Sequence, residues 1–138
     1  MPIPVRVVSV ERSLFEGDAD FVKCRSLDGE LGILPHHSPL LAVLAPGEVR
    51  IDKTGGGSEH IFVGGGFMEV LPERVTILAD IAEHASEINL ERAEAARKSI
   101  AERLAGQVTD DLARRSLEQE LVMAEERLRL ARIRRGGG

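Results

Sequence analysis

The sequence predicts a mixed fold: an N-terminal all-β sandwich or flattened barrel over residues 1–84, then a C-terminal antiparallel α-helical hairpin over residues 85–138. Two observations carry this. Up to about residue 84, short β-branched runs are interrupted every few residues by Gly, Pro or Asp. Many short strands at close spacing fit a sandwich or barrel rather than a parallel α/β sheet. From Asn89 to Arg135 there is no proline and only one glycine, Gly106, while apolar residues recur at spacings of three and four, which is helical periodicity.

The strands are expected at Val5–Val10, Phe21–Arg25, Leu31–Leu34, Leu40–Leu44, Glu48–Ile51, His60–Val63, Phe67–Leu71 and Val75–Ala79. In "VRIDK", Val49 and Ile51 face one way, Arg50 and Asp52 the other, as strand alternation requires. "DKTGGGSE" has the glycine and polar content of a hairpin turn, and "VGGGF" lets the chain turn sharply between strands. The first helix is predicted over about 89–105, with Asn89 at its start and Gly106 at the C-cap. "VTDD" then supplies Thr109 as an N-cap and two acids at the positive end of a second helix reaching about residue 134. Ala93, Ala96, Ile100 and Leu104 form one stripe; Ala113, Leu117, Leu121, Ala124, Leu128 and Ala131 form the other. Alanine permits close approach but buries little area, at about 25 cal/mol per Å². The hairpin is therefore expected to be weakly self-sufficient, able to dock, detach or open.

Composition narrows the function. With 138 residues, a net charge of −5 and 43% hydrophobic residues, the chain can bury a core and stay in solution. Four Phe, no Trp and no Tyr leave too few stacking platforms for a nucleic-acid reader that also lacks a net basic charge. Cys24 is the only cysteine, which excludes a disulfide framework and a Cys-based zinc site. The N-terminus has no signal-peptide pattern, and no apolar run approaches the roughly 20 residues that cross a bilayer. A cytoplasmic location follows as the expectation, with any membrane connection made through a partner.

Several motifs invite chemistry. His36 and His37 could join His60 or His84 around a metal, but adjacent histidines in a strand-like segment point to opposite faces and chelate poorly. Ser38 beside His37 lacks any nucleophile elbow. The glycines of "GGSEHIFVGGGF" are followed by another strand, whereas a phosphate-binding loop needs a Lys-Ser/Thr pair and a helix. The segment "GELGILPHHSPLL" reads either as a surface loop shaped by its prolines or as a partner-binding loop. On the second helix, arginines interleave with glutamates as a solvated face would. Its end, "RLRLARIRRGGG", has five arginines and no acid. The helix dipole accounts for part of this; the other reading is docking to an acidic partner surface.

Four stretches in order, "VRVVSVERSLFEGDADFV", "GELGILPHHSPLL", "VGGGFMEVLPERVTILAD" and "INLERAEAARKSIAERL", resemble the ε-subunit family of bacterial F-type ATP synthases over essentially the whole chain. The resemblance implies a non-catalytic, peripheral subunit on the cytoplasmic face of the bacterial plasma membrane. Its β domain would pack on the γ subunit and touch the c-ring. Its hairpin would restrain ATP hydrolysis by extending toward the catalytic β and α subunits. The partner contacts it implies are Glu30 and His37 in the rotor-contacting loop, and Arg114, Arg115 and Arg127 on the second helix. No cofactor and no metal are implied as requirements.

Some members of that family bind ATP through Ile/Leu-Asp-x-x-Arg-Ala with a Glu upstream. Here Ile88, Arg92, Ala93 and Glu83 match, but Asn89 stands at the Asp position, and Val122 and Met123 occupy a region where binding members carry an arginine. A neutral acceptor forgoes roughly 1 kcal/mol of charge assistance, about five- to tenfold in affinity. The implied site (Glu83, Asn89, Arg92 and Ala93) is thus weak or vestigial, with weak or no ATP binding. The rival readings are a free-standing nucleotide sensor built on the same hairpin, and a small metal- or carboxylate-dependent enzyme, for which the spacing offers no converging His and acids.

Overall fold

The computed structural model describes residues 2–106 and 110–136. It divides into two compact units, one ending at His84 and one beginning at Ala85.

The first unit has nine strands: β1 (Ile3–Ser9), β2 (Ser13–Ser26), β3 (Gly29–Ile33), β4 (Leu40–Leu44), β5 (Gly47–Lys53), β6 (Ser58–Val63), β7 (Gly66–Leu71), β8 (Arg74–Ala79) and β9 (Ala82–His84). Strand order runs β1-β8-β7-β4-β2-β5-β6-β9, with β3 on β2 and a further β1–β2 pairing that closes the sheet on itself. All pairings are antiparallel except β1 with β8. Alternation does the work here: Val5 and Val7, Val49 and Ile51, Met68 and Val70, Val75 and Ile77 point inward into one apolar cluster, while their neighbours point out.

The central strand β2 spans 14 residues. Its first half pairs with β1 from Val8↔Ser13 to Ile3↔Ala19, and its second half lies between β5 and β3. Register shifts between Val7 and Val8, and between Ala19 and Phe21, supply the bends by which one strand serves both layers.

The sequence places the start of this strand at Phe21, eight residues late, and omits β9. In Ser13–Asp20 the outward positions are Glu16 and Asp18, and an inward one is Gly17, so the apolar alternation is too thin to register locally. Pairing with β1 makes it a strand. Tight turns account for the glycines: Gly55, Gly56 and Gly57 all have positive φ in the β5–β6 turn. At Gly66, φ is 132° and a Cβ would lie 2.1 Å from the Leu78 carbonyl oxygen, so only glycine fits.

The second unit opens with a short 3₁₀ turn, Ala85–Glu87, followed by α1 (Leu90–Ala105) and α2 (Asp111–Gly136). Asn89 is the α1 N-cap, its side-chain oxygen accepting from the Arg92 N–H at 2.9 Å. Gly106 is the C-cap, its N–H donating to the Glu102 carbonyl, but with φ −74° and ψ −175° it adopts a conformation open to any residue.

The expected cap at Thr109 lies outside the described residues. Asp110 caps α2: its carboxylate accepts from the Leu112 N–H at 3.0 Å and its carbonyl from Arg114 N–H at 2.9 Å. The helices run antiparallel, since Glu94 near the start of α1 meets Arg132 near the end of α2 at 3.7 Å. Ala93, Leu117, Leu128 and Ala131 are buried as predicted, whereas Ala96 and Ala113 are exposed and Arg97 and Ala101 are half-buried. Residue 97 lies nearer than 96 to the stripe through Ala93, Ile100 and Leu104, about 40° against about 60° from its centre at 3.6 residues per turn. The aliphatic stem of Arg97 can lie along that apolar stripe while its head reaches solvent.

Candidate functional site

The β3–β4 connection is a turn rather than the strand-like segment the histidine pair implied. The His37 N–H donates to the Leu34 carbonyl at 3.2 Å, with Pro35 and His36 at the central positions and φ of His36 at 67°. That is the type II pattern, in which proline presets the first position and the second needs positive φ. His36 is exposed, while the half-buried His37 has Nδ1 2.7 Å from the Ser38 carbonyl. Beside the turn is a small pit of about 70 Å³, walled by Pro2, Ile33, Pro35 and Pro72 among others. Glu30 stands on β3 opposite Arg25, and its carboxylate is 3.7 Å from the Lys23 ammonium. Both ends of this pair are open to water, where such bridges contribute little, so Glu30 stays accessible.

A second surface was not anticipated. Strand registers place Val43, Phe67, Leu78 and Val8 side by side across β4, β7, β8 and β1. All four point away from the core; Phe67 is 50% exposed and Leu78 55%. Leu41, 69% exposed, adjoins them one row down. The same row continues through Glu69, Thr76, Arg6 and Glu16, so the face is half apolar and half charged. A contiguous exposed apolar row with a polar border marks an interaction surface. The alternation of "FMEVL" puts Phe67 and Glu69 on one face, but only cross-strand register shows that three further apolar residues line up with Phe67.

The remaining residues divide between the units. Glu83 is the middle residue of β9, opposite Phe62. Asn89, Arg92 and Ala93 share the first turn of the hairpin. There the Asn89 amide oxygen is occupied by its capping bond, the Ala93 side chain is fully buried and Arg92 is exposed. Arg114 and Arg115 lie exposed in the first turns of α2, and Arg127 lies three turns on, half-buried, a separation of about 18 Å along the axis. These arginines therefore form two basic stations rather than one cluster. Near the far end, Arg129 pairs with Glu126 at 3.2 Å. Among the described residues no three His, Cys, Asp or Glu side chains are grouped so as to hold a metal, and no helix is long and apolar enough to cross a membrane.

Residues 2–85 match the family described as ATP synthase, Delta/Epsilon chain, beta-sandwich domain. An ATP synthase epsilon chain from Herpetosiphon aurantiacus is 47% identical over 136 residues, covering 98% of each chain. One from Acidithiobacillus ferridurans is 45% identical over 138 residues, covering 99% of this chain and 96% of its own. Among solved structures, a chain of the Euglena gracilis mitochondrial ATP synthase superposes with a TM-score of 0.80 at 24% identity, covering 91% of this chain and 78% of that one. A chain of the Tetrahymena thermophila mitochondrial ATP synthase central stalk and c-ring superposes with a TM-score of 0.70 at 15% identity, covering 95% and 97%.

Proposed function

The chain belongs to the ATP synthase epsilon-chain family, and from that premise we propose that it couples the rotor to the proton-driven c-ring and restrains ATP hydrolysis through its hairpin. It is a non-catalytic subunit of the central stalk. The observation that carries the coupling role is the outward row of exposed Val43, Phe67 and Leu78 with half-buried Val8, which we assign to the γ subunit. Full burial of a side chain of this size contributes about 1.5–3 kcal/mol, so even partial burial of four supports stable docking. Glu30, His37 and the β3–β4 turn are assigned to the c-ring, and Arg114, Arg115 and Arg127 to acidic surfaces of the catalytic β and α subunits. The assembled location is peripheral, on the cytoplasmic face of a bacterial plasma membrane.

Support for the restraining role is the make-up of the hairpin: little of α1 beyond Ala93 is fully buried, and basic side chains stand at two stations along α2. A switch of this kind needs states within a few kcal/mol of each other. The test is a chain ending after His84, reconstituted with the other subunits. Assembly and c-ring coupling should persist while ATP hydrolysis rises; unchanged hydrolysis would remove the restraint from the account. A hairpin reading centred on ATP rests on Glu83, Asn89, Arg92 and Ala93. It predicts weak binding or none, and a dissociation constant in the low micromolar range by calorimetry would overturn that prediction.

A further inference from the structure

We propose that Arg6, Glu16, Asp18, Glu69 and Arg74 form a charge key that fixes the register of the rotor partner on the apolar row. The partner would present at least one carboxylate to the two arginines and at least one basic side chain to the acids. This rests on the assignment of that row to the γ subunit. The five side chains line one open groove of about 500 Å³ on the outer face of β1, β2, β7 and β8. All five are exposed, and among the described residues none lies within ion-pair distance of an opposite charge, although Arg6 is directly opposite Glu16 in the strand register. Elsewhere on the same unit neighbouring opposite charges do meet, as Arg50 with Asp52 at 2.9 Å and Lys23 with Glu30 at 3.7 Å. The groove therefore keeps both signs of charge uncommitted.

Position identifies the occupant. Glu69 is two residues from Phe67, Arg6 two from Val8, and Arg74 four from Leu78, each on the same face of the same strand. A body covering the apolar row has these charges at its border, where complementary pairs govern association rate and orientation more than total affinity. The groove is open and its charges are spread over four strands, an arrangement suited to a protein surface.

The experiment measures association of the full chain with purified γ subunit at several salt concentrations. Variants are Arg6→Glu with Arg74→Glu, Glu69→Lys, and Phe67→Asp as a reference, with melting curves confirming that each folds. The arginine reversals are expected to slow association about tenfold at low salt and flatten its salt dependence, with dissociation changed less. Association identical to wild type in both charge variants, with binding lost in Phe67→Asp, would overturn the charge key and leave the docking assignment standing. Binding unaffected by Phe67→Asp would overturn both.

Discussion

Cys24 sits on β2 with its sulfur 3.7 Å from that of Met68, in the core of the sandwich. Burial pushes its thiol up to about 11 from an ordinary 9.0. Because the folded value is raised, the stabilisation from keeping this thiol neutral is complete below the ordinary value and is lost as pH climbs from about 9 toward 11. At pH 8 the folded chain should resist iodoacetamide, and labelling should be rapid in urea; equal labelling rates would place the thiol outside the core. Gly66 is bound to its position by geometry rather than chemistry. A Cβ at φ 132° would strike the Leu78 carbonyl, so Gly66→Ala is expected to cost at least about 2 kcal/mol, from backbone strain together with steric clash, read from the urea midpoint. Gly106, by contrast, has an ordinary φ, and a Cβ there would meet the Arg103 carbonyl oxygen only at an ordinary contact distance of 3.5 Å, so Gly106→Ala should leave the melting temperature nearly unchanged.

Within the hairpin, the cap that Asn89 forms can be separated from the ATP contact proposed for it. As a cap it is worth about 1 kcal/mol, so Asn89→Ala should destabilise the hairpin by that amount. Asn89→Asp keeps the cap and restores a charged acceptor, so any ATP affinity should rise about five- to tenfold; calorimetry on the two variants separates the roles. Elements like these helices were legible because their information is local: period, caps and the absence of breakers lie within the segment itself. The first half of β2 was not, since Glu16, Gly17 and Asp18 carry no strand signal and owe their conformation to β1. The row of Val8, Val43, Phe67 and Leu78 was equally hidden. Each residue is unremarkable in its own strand, and the surface exists only through registers joining chain positions far apart. The β3–β4 turn illustrates a third case, where "LPHH" signalled proline rigidity but not that His36 would take a positive φ.

At the scale of the whole molecule, the two units should differ in how they open. The sandwich holds a continuous apolar cluster drawn from eight of its nine strands, whereas α1 contributes little buried apolar volume beyond Ala93. Amide exchange should therefore be slowest in β2, β5 and β7 and faster by orders of magnitude along α1 and α2; uniform protection would contradict a hairpin able to rearrange. The long β2 adds a mechanical consequence. One unbroken peptide of about 45 Å is stitched first to β1 and then to β3 and β5. A pull that tries to slide one layer past the other acts along its axis and loads a whole ladder at once, whereas peeling an end breaks bonds singly. Under the coupling role proposed above, covalent chain, rather than side-chain packing alone, would bear the shear between the layers.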